Sequence, residues 1–592
     1  MSKIITSFKD ILTKMSYILT VKQKKYCLVV FLMTLVGVLL ETLGVSIILP
    51  LVQAMLYPEQ ILENKILGKI FFSLKIQDSF FMVLIIAAFV VMIYLLKNIY
   101  LVYLSYVRAK FSGNIQRSLG LYMMKSYLKR GYPFFLKESA HKLHRGITGD
   151  VSGVYNIIYN GFRMISECLT AFAIGVYILM SDFLMAIVIL IIAGTTVMIT
   201  MLISKSKMRS YGQKYRIYDT KMKACSYQTF HGIKEVLVMN KEEYFINEYK
   251  ESCKEQQKAL VGQTVFAEAP AFVFEAVCVI GMILAVCFRL ALDGNSPEFV
   301  SNIAVFVVAA FRIMPSLGRI ANAANIIMFN IPSMNAAYMN LLEANGYTYH
   351  LQIGEEVEEE VVFKEEVKLS DIYWKYEDAT DPVIRNLNLS IKKGSSIALI
   401  GESGAGKSTL ADMVLGLLKP FKGVIEIDGI DINTIPRQWH KIIGYVPQSV
   451  YILDDTIRKN VAYGILEEDI DDSLVWKVLE QAQLSDFVKR LPEQLDTILG
   501  ERGIRFSGGQ RQRIAIARCL YHEPEILVLD EATSALDNKT EEAIMEAIEL
   551  LRGYKTLIIV AHRLTTIKEC DYIYEIKDGK AIERNKEEIF LE

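Results

Sequence analysis

Nine consecutive residues in the second half of the chain have the types and spacing needed to bind phosphate groups. They fit the pattern G-x-x-x-x-G-K-[ST], in which glycines let backbone N–H groups turn toward an anion. An apolar run precedes them and an apolar-periodic stretch follows, which predicts a strand, a loop and a helix whose N-terminus adds partial positive charge. Lys407 is expected to reach the terminal phosphates, and Ser408 to ligate Mg²⁺. The residues of this phosphate loop are Gly401, Glu402, Ser403, Gly404, Ala405, Gly406, Lys407, Ser408 and Thr409.

Two acidic residues follow a second buried-strand pattern further along the chain. Residues 526–529 are apolar, and Asp530 and Glu531 come directly after them. Asp530 is suited to hold Mg²⁺ through water, and Glu531 to polarise an attacking water as general base. Taken alone, an acid pair after a strand fits a helix N-cap better. The catalytic interpretation is favoured here by what surrounds the pair: Ser507, Gly508, Gly509 and Gln510 before it, and Asp537 and His562 after it.

The order of these pieces resembles the nucleotide-binding domain of ATP-binding cassette (ABC) transporters. The resemblance covers about residues 368–582, and the whole chain resembles a half-transporter of the exporter type. It implies that 401–409 is the Walker A loop, that Asp530 and Glu531 are the Walker B acids, and that ATP and Mg²⁺ are the cofactors. The family's signature sequence, a second phosphate cradle, matches Ser507, Gly508, Gly509 and Gln510.

Further residues match family positions around the nucleotide. The resemblance makes Gln448 the Q-loop glutamine that senses Mg²⁺ and the membrane domain, and His562 the switch histidine beside the γ-phosphate. It makes Asp537 the D-loop aspartate and Tyr376 the aromatic side chain that stacks on adenine. The first signature position is Phe506, where leucine is commoner. We expect that side chain to pack rather than to touch phosphate.

One chain carries one cassette, whereas the family's ATP sites lie between two. The resemblance therefore implies a homodimer with two equivalent composite ATP sites. ATP closes the cassettes, and hydrolysis and release reopen them. The resemblance also implies short coupling helices near residues 134–142 and 222–232.

The composition indicates a membrane part and excludes several other classes. The chain has 592 residues, more than a single hydrophobic core serves, so at least two domains are expected. Apolar residues make up 52% of it and the mean hydropathy is +0.29. The net charge of −1 gives no global field that would recruit nucleic acid. The eight cysteines include no Cys-x-x-Cys pair, which argues against zinc or a disulfide framework.

Apolar segments near the length that crosses a bilayer crowd the first part of the chain. Six are predicted, at about 26–55, 79–106, 157–180, 183–204, 268–291 and 299–328. Two long connections between them are rich in Lys and Arg, so the positive-inside bias places these connections and both termini in the cytosol. The spans are expected to cross the cytoplasmic membrane. Because the long connections lack turn residues, the helices are expected to continue well past the membrane.

These patterns predict an α-helical six-span membrane domain of exporter type followed by an α/β P-loop nucleotide-binding domain. The expected boundaries are 1–343 for the membrane domain, 344–367 for a linker and 368–592 for the nucleotide-binding domain. Residues 1–20 indicate an amphipathic helix on the membrane surface. Residues 58–78 carry one apolar stripe, which favours a helix on the outer membrane face, although an ordinary structured loop also fits.

Charged residues inside the predicted spans bear on the cargo. Arg312 and Arg319 lie seven residues apart, so a helix would put them on one face, about 10 Å apart along its axis. Arg289, near the end of the fifth segment, is a third candidate or snorkels to the outer headgroups. Arginines facing lipid are costly, so a wet cavity or a partner acid is expected. Arginines in a cavity suit a phosphate or pyrophosphate headgroup.

The arginine stretch and the segment at 58–78 together resemble the lipid-linked oligosaccharide flippases of the ABC superfamily. This resemblance implies ATP-driven flipping of a polyprenyl-pyrophosphate-linked oligosaccharide by alternating access. The alternative is that Glu41, Glu268 or Glu275 neutralises the arginines, which favours a multidrug or lipid (lipid A-like) exporter. An ATP-gated channel is the candidate from another class, and a soluble DNA-associated ATPase is disfavoured by the six spans.

Overall fold

The chain forms two compact units in a computed structural model. One unit comprises Met1–Arg130 with Lys137–Tyr347, and the other comprises Gly131–Leu136 with Thr348–Glu592. The structure describes residues 2–47, 51, 55, 79–181, 183–293, 297–346, 361–376, 379–500, 503–530, 545–561 and 567–589.

Long helices build the first unit, and short helices join them; one of these, at Tyr132–Lys137, lies in the second unit except for its last residue. In chain order the helices from the N-terminus are α1 (Ser2–Ile18), α2 (Val21–Ser46), α3 (Ser79–Leu128), α4 (Tyr132–Lys137), α5 (Ala140–Arg145), α6 (Val151–Ser181), α7 (Phe183–His231), α8 (Ile233–Val238), α9 (Glu242–Asp293) and α10 (Pro297–Gly346). A π-helical turn, Gly146–Asp150, joins α5 to α6.

The long helices confirm that the predicted spans continue beyond a bilayer. Helices α3, α7, α9 and α10 have 50, 49, 52 and 50 residues, whereas a span needs about 20. Among the described residues, three stretches are long and apolar enough to cross a membrane: Val21–Gly44, Phe80–Leu128 and Glu242–Gly281.

The short helices confirm one predicted position and correct the other. Helices α4 and α5 lie where a coupling helix was expected near 134–142. The second expectation, at 222–232, was wrong because α7 continues to His231 and the break falls at Gly232, with φ −100° and ψ 29°. The short helix α8 starts only after that glycine. The segment at 58–78 lies outside the described residues.

Close approaches of backbone hold the first unit together. A Cβ on Gly212 of α7 would collide with the Phe329 carbonyl of α10, and one on Gly262 of α9 would lie 2.5 Å from the Tyr211 ring of α7. Small residues at such crossings let helices pack on their backbones, which matters where lipid provides no hydrophobic drive. The apolar face of α1 also packs on this unit, because Ile18 is buried in the cluster that contains Met334 of α10.

The second unit combines two β-sheets with helices. The strands are β1 (Glu366–Trp374), β2 (Ile384–Lys392), β3 (Ser396–Ile400), β4 (Lys422–Ile427), β5 (Ile430–Asp431), β6 (Ile443–Val446), β7 (Ile526–Asp530), β8 (Thr556–Val560), β9 (Tyr572–Lys577) and β10 (Lys580–Arg584). The helices are α11 (Lys407–Val414), α12 (Pro436–Ile442), α13 (Ile457–Val461), α14 (Asp472–Gln481), α15 (Ser485–Lys489), α16 (Gly508–Tyr521) and α17 (Lys586–Ile589).

The larger sheet positions the site. Its order is β10-β9-β3-β8-β7-β6, with only β10 antiparallel to its neighbour. Strand β8 is buried along its whole length, as are β3 and β7 up to their last residue. Parallel strands covered on both faces read as continuous apolar runs, which explains why the sequence marks them so clearly. The smaller sheet, β2-β1-β4-β5, is antiparallel.

Candidate functional site

The carboxyl ends of four parallel strands bring the predicted site residues to one edge of the larger sheet. Leu399 of β3 and Asp530 of β7 both pair with Val560 of the intervening β8. Val446 of β6 pairs with Leu529 of β7. The phosphate loop, the Walker B strand and the residues leading to Gln448 therefore emerge side by side. In open parallel sheets this edge is where ligands bind.

The phosphate loop has a backbone that only glycine accommodates. Gly401, Gly404 and Gly406 have φ values of 140°, 84° and 102°, a region that L side chains rarely adopt. A Cβ on Gly401 would lie 2.5 Å from the Ile576 carbonyl oxygen, and one on Gly406 would press on Val383 and Ile384 at 3.0 Å. At Gly404 nothing lies within 4 Å of such a Cβ, so the loop leaves open space there.

Lys407 stands at the centre of this loop. Its buried side chain donates hydrogen bonds to the carbonyl oxygens of Gly401, at 2.7 Å, and of Glu402, at 2.9 Å. Helix α11 starts at Lys407, and the residue before it, Gly406, gives no side-chain cap. The first amides of the helix are therefore left for another acceptor. An ammonium group, uncapped amides and open space fit the phosphates of ATP.

Acidic charge is concentrated beside the loop. Burial, with a further contribution from the Asp530 charge, raises the pKa of Asp412 on α11 to about 6. Burial and the same carboxylate also raise the pKa of Tyr445 on β6. A cation bound near Asp530 would relieve this repulsion.

The candidate metal ligands suit magnesium. Ser408, Gln448 and Asp530 offer hydroxyl, amide and carboxylate oxygens, the donors that Mg²⁺ prefers. Within the described residues no group of three or more His, Cys, Asp or Glu side chains is placed to hold a metal ion. Mg²⁺ is commonly held by one or two carboxylates together with substrate phosphates, so this sparse donor set fits a nucleotide-bound ion.

The predicted adenine platform is held next to the phosphate loop. The Tyr376 hydroxyl lies 3.2 Å from Oγ1 of Thr409. The Tyr376 ring meets Trp374 edge to face, with ring centroids 4.2 Å apart, and remains 42% exposed. A partly exposed ring fixed by two neighbours is suited to stacking on a base.

The predicted signature sequence forms the start of a 14-residue helix, α16. The Ser507 hydroxyl accepts a bond from the Gln510 amide at 3.3 Å, and the Gln510 side chain accepts one from the Ser507 amide at 2.8 Å. This capping box fixes Gly508 and Gly509 in the first turn. Phe506 is buried against Phe487, with ring centroids 5.6 Å apart, so it packs as expected.

Part of the predicted catalytic set falls outside the described residues. Glu531, Asp537 and His562 are not among them. The strands that lead to two of them are described: β7 ends at Asp530, and β8 ends at Val560. Their catalytic assignments therefore remain predictions.

Of the predicted substrate arginines, Arg319 has a side chain that the structure describes. It pairs with an acid that sequence reasoning did not consider. Its Nε donates to Oε1 of Glu167 on α6 at 2.5 Å, and an Nη donates to the Ser316 hydroxyl at 3.2 Å. The side chains of Arg289 and Arg312 lie outside the described set.

The acids that were expected to neutralise the arginines have other surroundings. Glu41 accepts a bond from the buried Thr170 hydroxyl at 2.9 Å. Glu268 and Glu275 are exposed. The pairing of Arg319 with an acid agrees with the structural alternative for that residue, but the partner is Glu167.

Sequence reasoning also missed a buried ion cluster around the π-helical turn. Asp150 is 1% exposed and accepts two bonds of 3.0 Å from Arg216 of α7. Arg145, 5% exposed, lies 3.4 Å from the same carboxylate and also donates to the Arg216 carbonyl oxygen. The cluster links α5, the π-helical turn and α7. The only signal in the sequence was ordinary charged residues in a basic connection.

Two sequence families match the chain in the expected order. Residues 43–315 match the ABC transporter transmembrane region, and residues 384–534 match the ABC transporter family. A solved structure of a bacterial Atm1-family ABC exporter with ATP bound has the same fold, with a TM-score of 0.77 over 96% of both chains at 22% identity.

Curated relatives carry several different names. A mitochondrial potassium channel ATP-binding subunit of Xenopus tropicalis is 29% identical over 82% of this chain and 69% of that protein. An ATP-dependent lipid A-core flippase of Pseudoalteromonas translucida is 37% identical over 50% of this chain and 55% of its own length. Another lipid A-core flippase, from Cupriavidus pinatubonensis, is 28% identical over 82% of both chains.

A helical exporter-type membrane unit followed by a P-loop cassette defines an ABC exporter, which confirms the predicted fold class. With one transmembrane region and one cassette, the chain is an ABC exporter half-transporter. It is a multi-pass membrane protein that binds and hydrolyses ATP to drive transport.

Proposed function

We propose that this half-transporter works as a homodimer in the cytoplasmic membrane and uses ATP to flip or export an anionic amphipathic lipid. Both termini and the nucleotide-binding domain lie in the cytosol. The observation that carries the ATP part is the phosphate loop, in which Lys407 sits among uncapped helix amides and glycines of positive φ. In each composite ATP site, the phosphate loop of one copy faces the signature sequence of the other copy.

In the proposed hydrolysis, each group of the cassette has one task. Lys407 and the loop amides hold the β- and γ-phosphates, and Tyr376 stacks on adenine. Glu531 takes the proton of the attacking water, while His562 holds the γ-phosphate and Asp537 serves the facing cassette. Mg²⁺, when bound by Ser408, Gln448 and Asp530, neutralises charge on the phosphates.

The proposed cargo is a phosphorylated glycolipid, with a polyprenyl-pyrophosphate-linked oligosaccharide as the specific candidate. Arg319, 34% exposed within a helix of the membrane unit, supports an anionic headgroup. The names of two relatives, lipid A-core flippases, favour a lipid A-like exporter as the alternative cargo. Both cargoes present phosphate on a lipid, so the headgroup chemistry is shared.

Flipping in proteoliposomes tests the proposal. Two fluorescent cargoes, a polyprenyl-pyrophosphate glycan and a lipid A-core glycolipid, are each assayed with wild type and with Glu531→Gln. ATP-dependent loss of label from one leaflet, absent in the variant, identifies the cargo. ATP hydrolysis without movement of either label would overturn the anionic-lipid proposal.

A second candidate follows from the relative named as a channel ATP-binding subunit. In that case the chain would gate ion flow rather than move lipid. Conductance across planar bilayers, measured with ATP and with Glu531→Gln, separates the two. A channel would pass current far faster than it hydrolyses ATP.

A further inference from the structure

The ion pair of Arg319 and Glu167 is only partly formed. The Nε of Arg319 donates to Oε1 of Glu167, and one Nη donates to the Ser316 hydroxyl. The carboxylate therefore accepts one hydrogen bond from the guanidinium group rather than the two of a bidentate pair. The second oxygen of Glu167, Oε2, is buried and has no hydrogen-bond partner. A buried oxygen left without a partner costs free energy that a fully formed pair would recover.

The charge of a second arginine, Arg108, also interacts with the same carboxylate. Arg108 of α3 donates to the Thr34 hydroxyl at 3.2 Å, while its Nε is buried without a hydrogen-bond partner. Its charge interacts with the charges of Glu167 and Glu41. The Glu167 charge therefore interacts with two guanidinium groups, and both its own Oε2 and the Nε of Arg108 lack a hydrogen-bond partner.

We infer that Glu167 occupies the headgroup position on Arg319 while cargo is absent, and turns toward Arg108 when an anionic headgroup displaces it. This inference rests on the proposed function, since it assigns the site at which the anion binds. Glu167 is then a specificity-determining counter-ion, and Arg319 is the residue that contacts cargo.

The exposures of the two side chains favour this exchange. The Arg319 side chain is 34% exposed and that of Glu167 is 14% exposed, so the arginine is the more accessible of the two. Phosphate offers more acceptor oxygens than a carboxylate and can use both arms of the fork. A displaced Glu167 left alone would be a costly buried charge, and a hydrogen bond from the unpartnered Nε of Arg108 would offset that cost.

Binding of farnesyl pyrophosphate in nanodiscs, with farnesol as the uncharged control, measures the effect. The apparent affinity for a ligand is the intrinsic affinity multiplied by the fraction of protein in which the site is free. If Glu167 occupies Arg319 about nine-tenths of the time, Glu167→Gln should bind farnesyl pyrophosphate about tenfold more tightly. Farnesol binding should not change. Glu268→Gln, which removes an exposed carboxylate of α9, is the matched control and should not tighten binding.

A double-mutant cycle tests the role of Arg108. Arg108→Gln should weaken farnesyl pyrophosphate binding in the wild-type background, because the displaced Glu167 carboxylate then lacks an alternative guanidinium partner. The same change should have little effect when Glu167 is already Gln. Glu167→Asp, which keeps the charge on a shorter side chain, provides a second variant and should tighten binding by a smaller factor.

Different results identify which idea fails. If wild type binds the pyrophosphate but neither Glu167 variant binds it more tightly, the counter-ion inference is wrong and the pair is structural. If neither wild type nor Glu167→Gln binds it, the proposed anionic cargo is wrong and the inference falls with it. Tightening that is equal for farnesol would also overturn the exchange, since it would show no dependence on charge.

Discussion

The carboxyl group of Asp412, close to the phosphate loop, lowers the stability of the cassette at neutral pH. The carboxyl group is half-buried, and this burial, with a further contribution from the Asp530 charge, raises its pKa to about 6, from an ordinary value of 3.8. The folded state therefore holds this proton more tightly than the unfolded chain does. Stability is lost as the pH rises between these two values and is not regained above them.

Removing the Asp412 charge should therefore stabilise the cassette at neutral pH. We expect Asp412→Asn to add about 1 kcal/mol at pH 7, after allowance for the exposed part of the side chain, and nothing below about pH 4. All three tryptophans, Trp374, Trp439 and Trp476, lie in the second unit, so their fluorescence during heating reports it. Asp381→Asn, at an exposed acid, is the control; an equal gain at both pH values would contradict the explanation.

Lys407 should matter for binding nucleotide. Loss of a charge-assisted hydrogen bond costs about 1.5–3 kcal/mol, so Lys407→Ala should weaken ATP binding by roughly 10- to 100-fold. A fluorescent ATP analogue titrated into the detergent-solubilised protein measures this. Lys393→Ala removes a lysine of the same unit that bonds Phe363 and Glu525 instead, and should leave the affinity unchanged. Similar affinities for the two variants would exclude the proposed role.

At the scale of the element, the buried cluster of Arg145, Asp150 and Arg216 fixes how short segments join long helices. The π-helical turn places Asp150 between two guanidinium groups that come from α5 and α7. A buried ion pair contributes little stability when compared with apolar packing of the same volume. Removing one partner, however, leaves the other charges buried without compensation, which is strongly destabilising. The turn is therefore tied to α7 by charge as well as by shape.

Asp150→Asn should destabilise the membrane unit by about 3–5 kcal/mol, because two arginines would be left uncompensated. Glu251→Gln is the control on α9, since it removes an exposed pair with Lys254. Unfolding is followed by reaction of a thiol dye with buried Cys225 in a variant that lacks the other cysteines. A loss no larger than that of the control would show that the cluster is not a structural tie.

Local patterns predicted much of the elements and of the ATP site. The buried strands β3 and β7 are continuous apolar runs, and the loop after β3 has a spacing that few other structures require. The start of α8 was missed because no signal distinguishes Gly232 from a tolerated helical glycine. The pairing of Glu167 with Arg319 spans 152 residues of sequence, so only tertiary packing determines it.

For the whole molecule, the proposal of two composite ATP sites in a homodimer has a quantitative consequence. If both sites must close together, one defective copy disables its partner. Mixing wild type with excess Glu531→Gln during reconstitution should then lower ATPase activity below the fraction of wild-type chains, toward the square of that fraction. A linear fall would indicate independent sites.

The length of α3 has a mechanical consequence. Its 50 residues form an unbroken helix, which is about 75 Å long. A rod of this length acts as a lever: a tilt of about 5° around its midpoint moves each end by about 3 Å in opposite directions. Small rotations at one end thus become displacements the size of an atom at the other, without any bend in the helix.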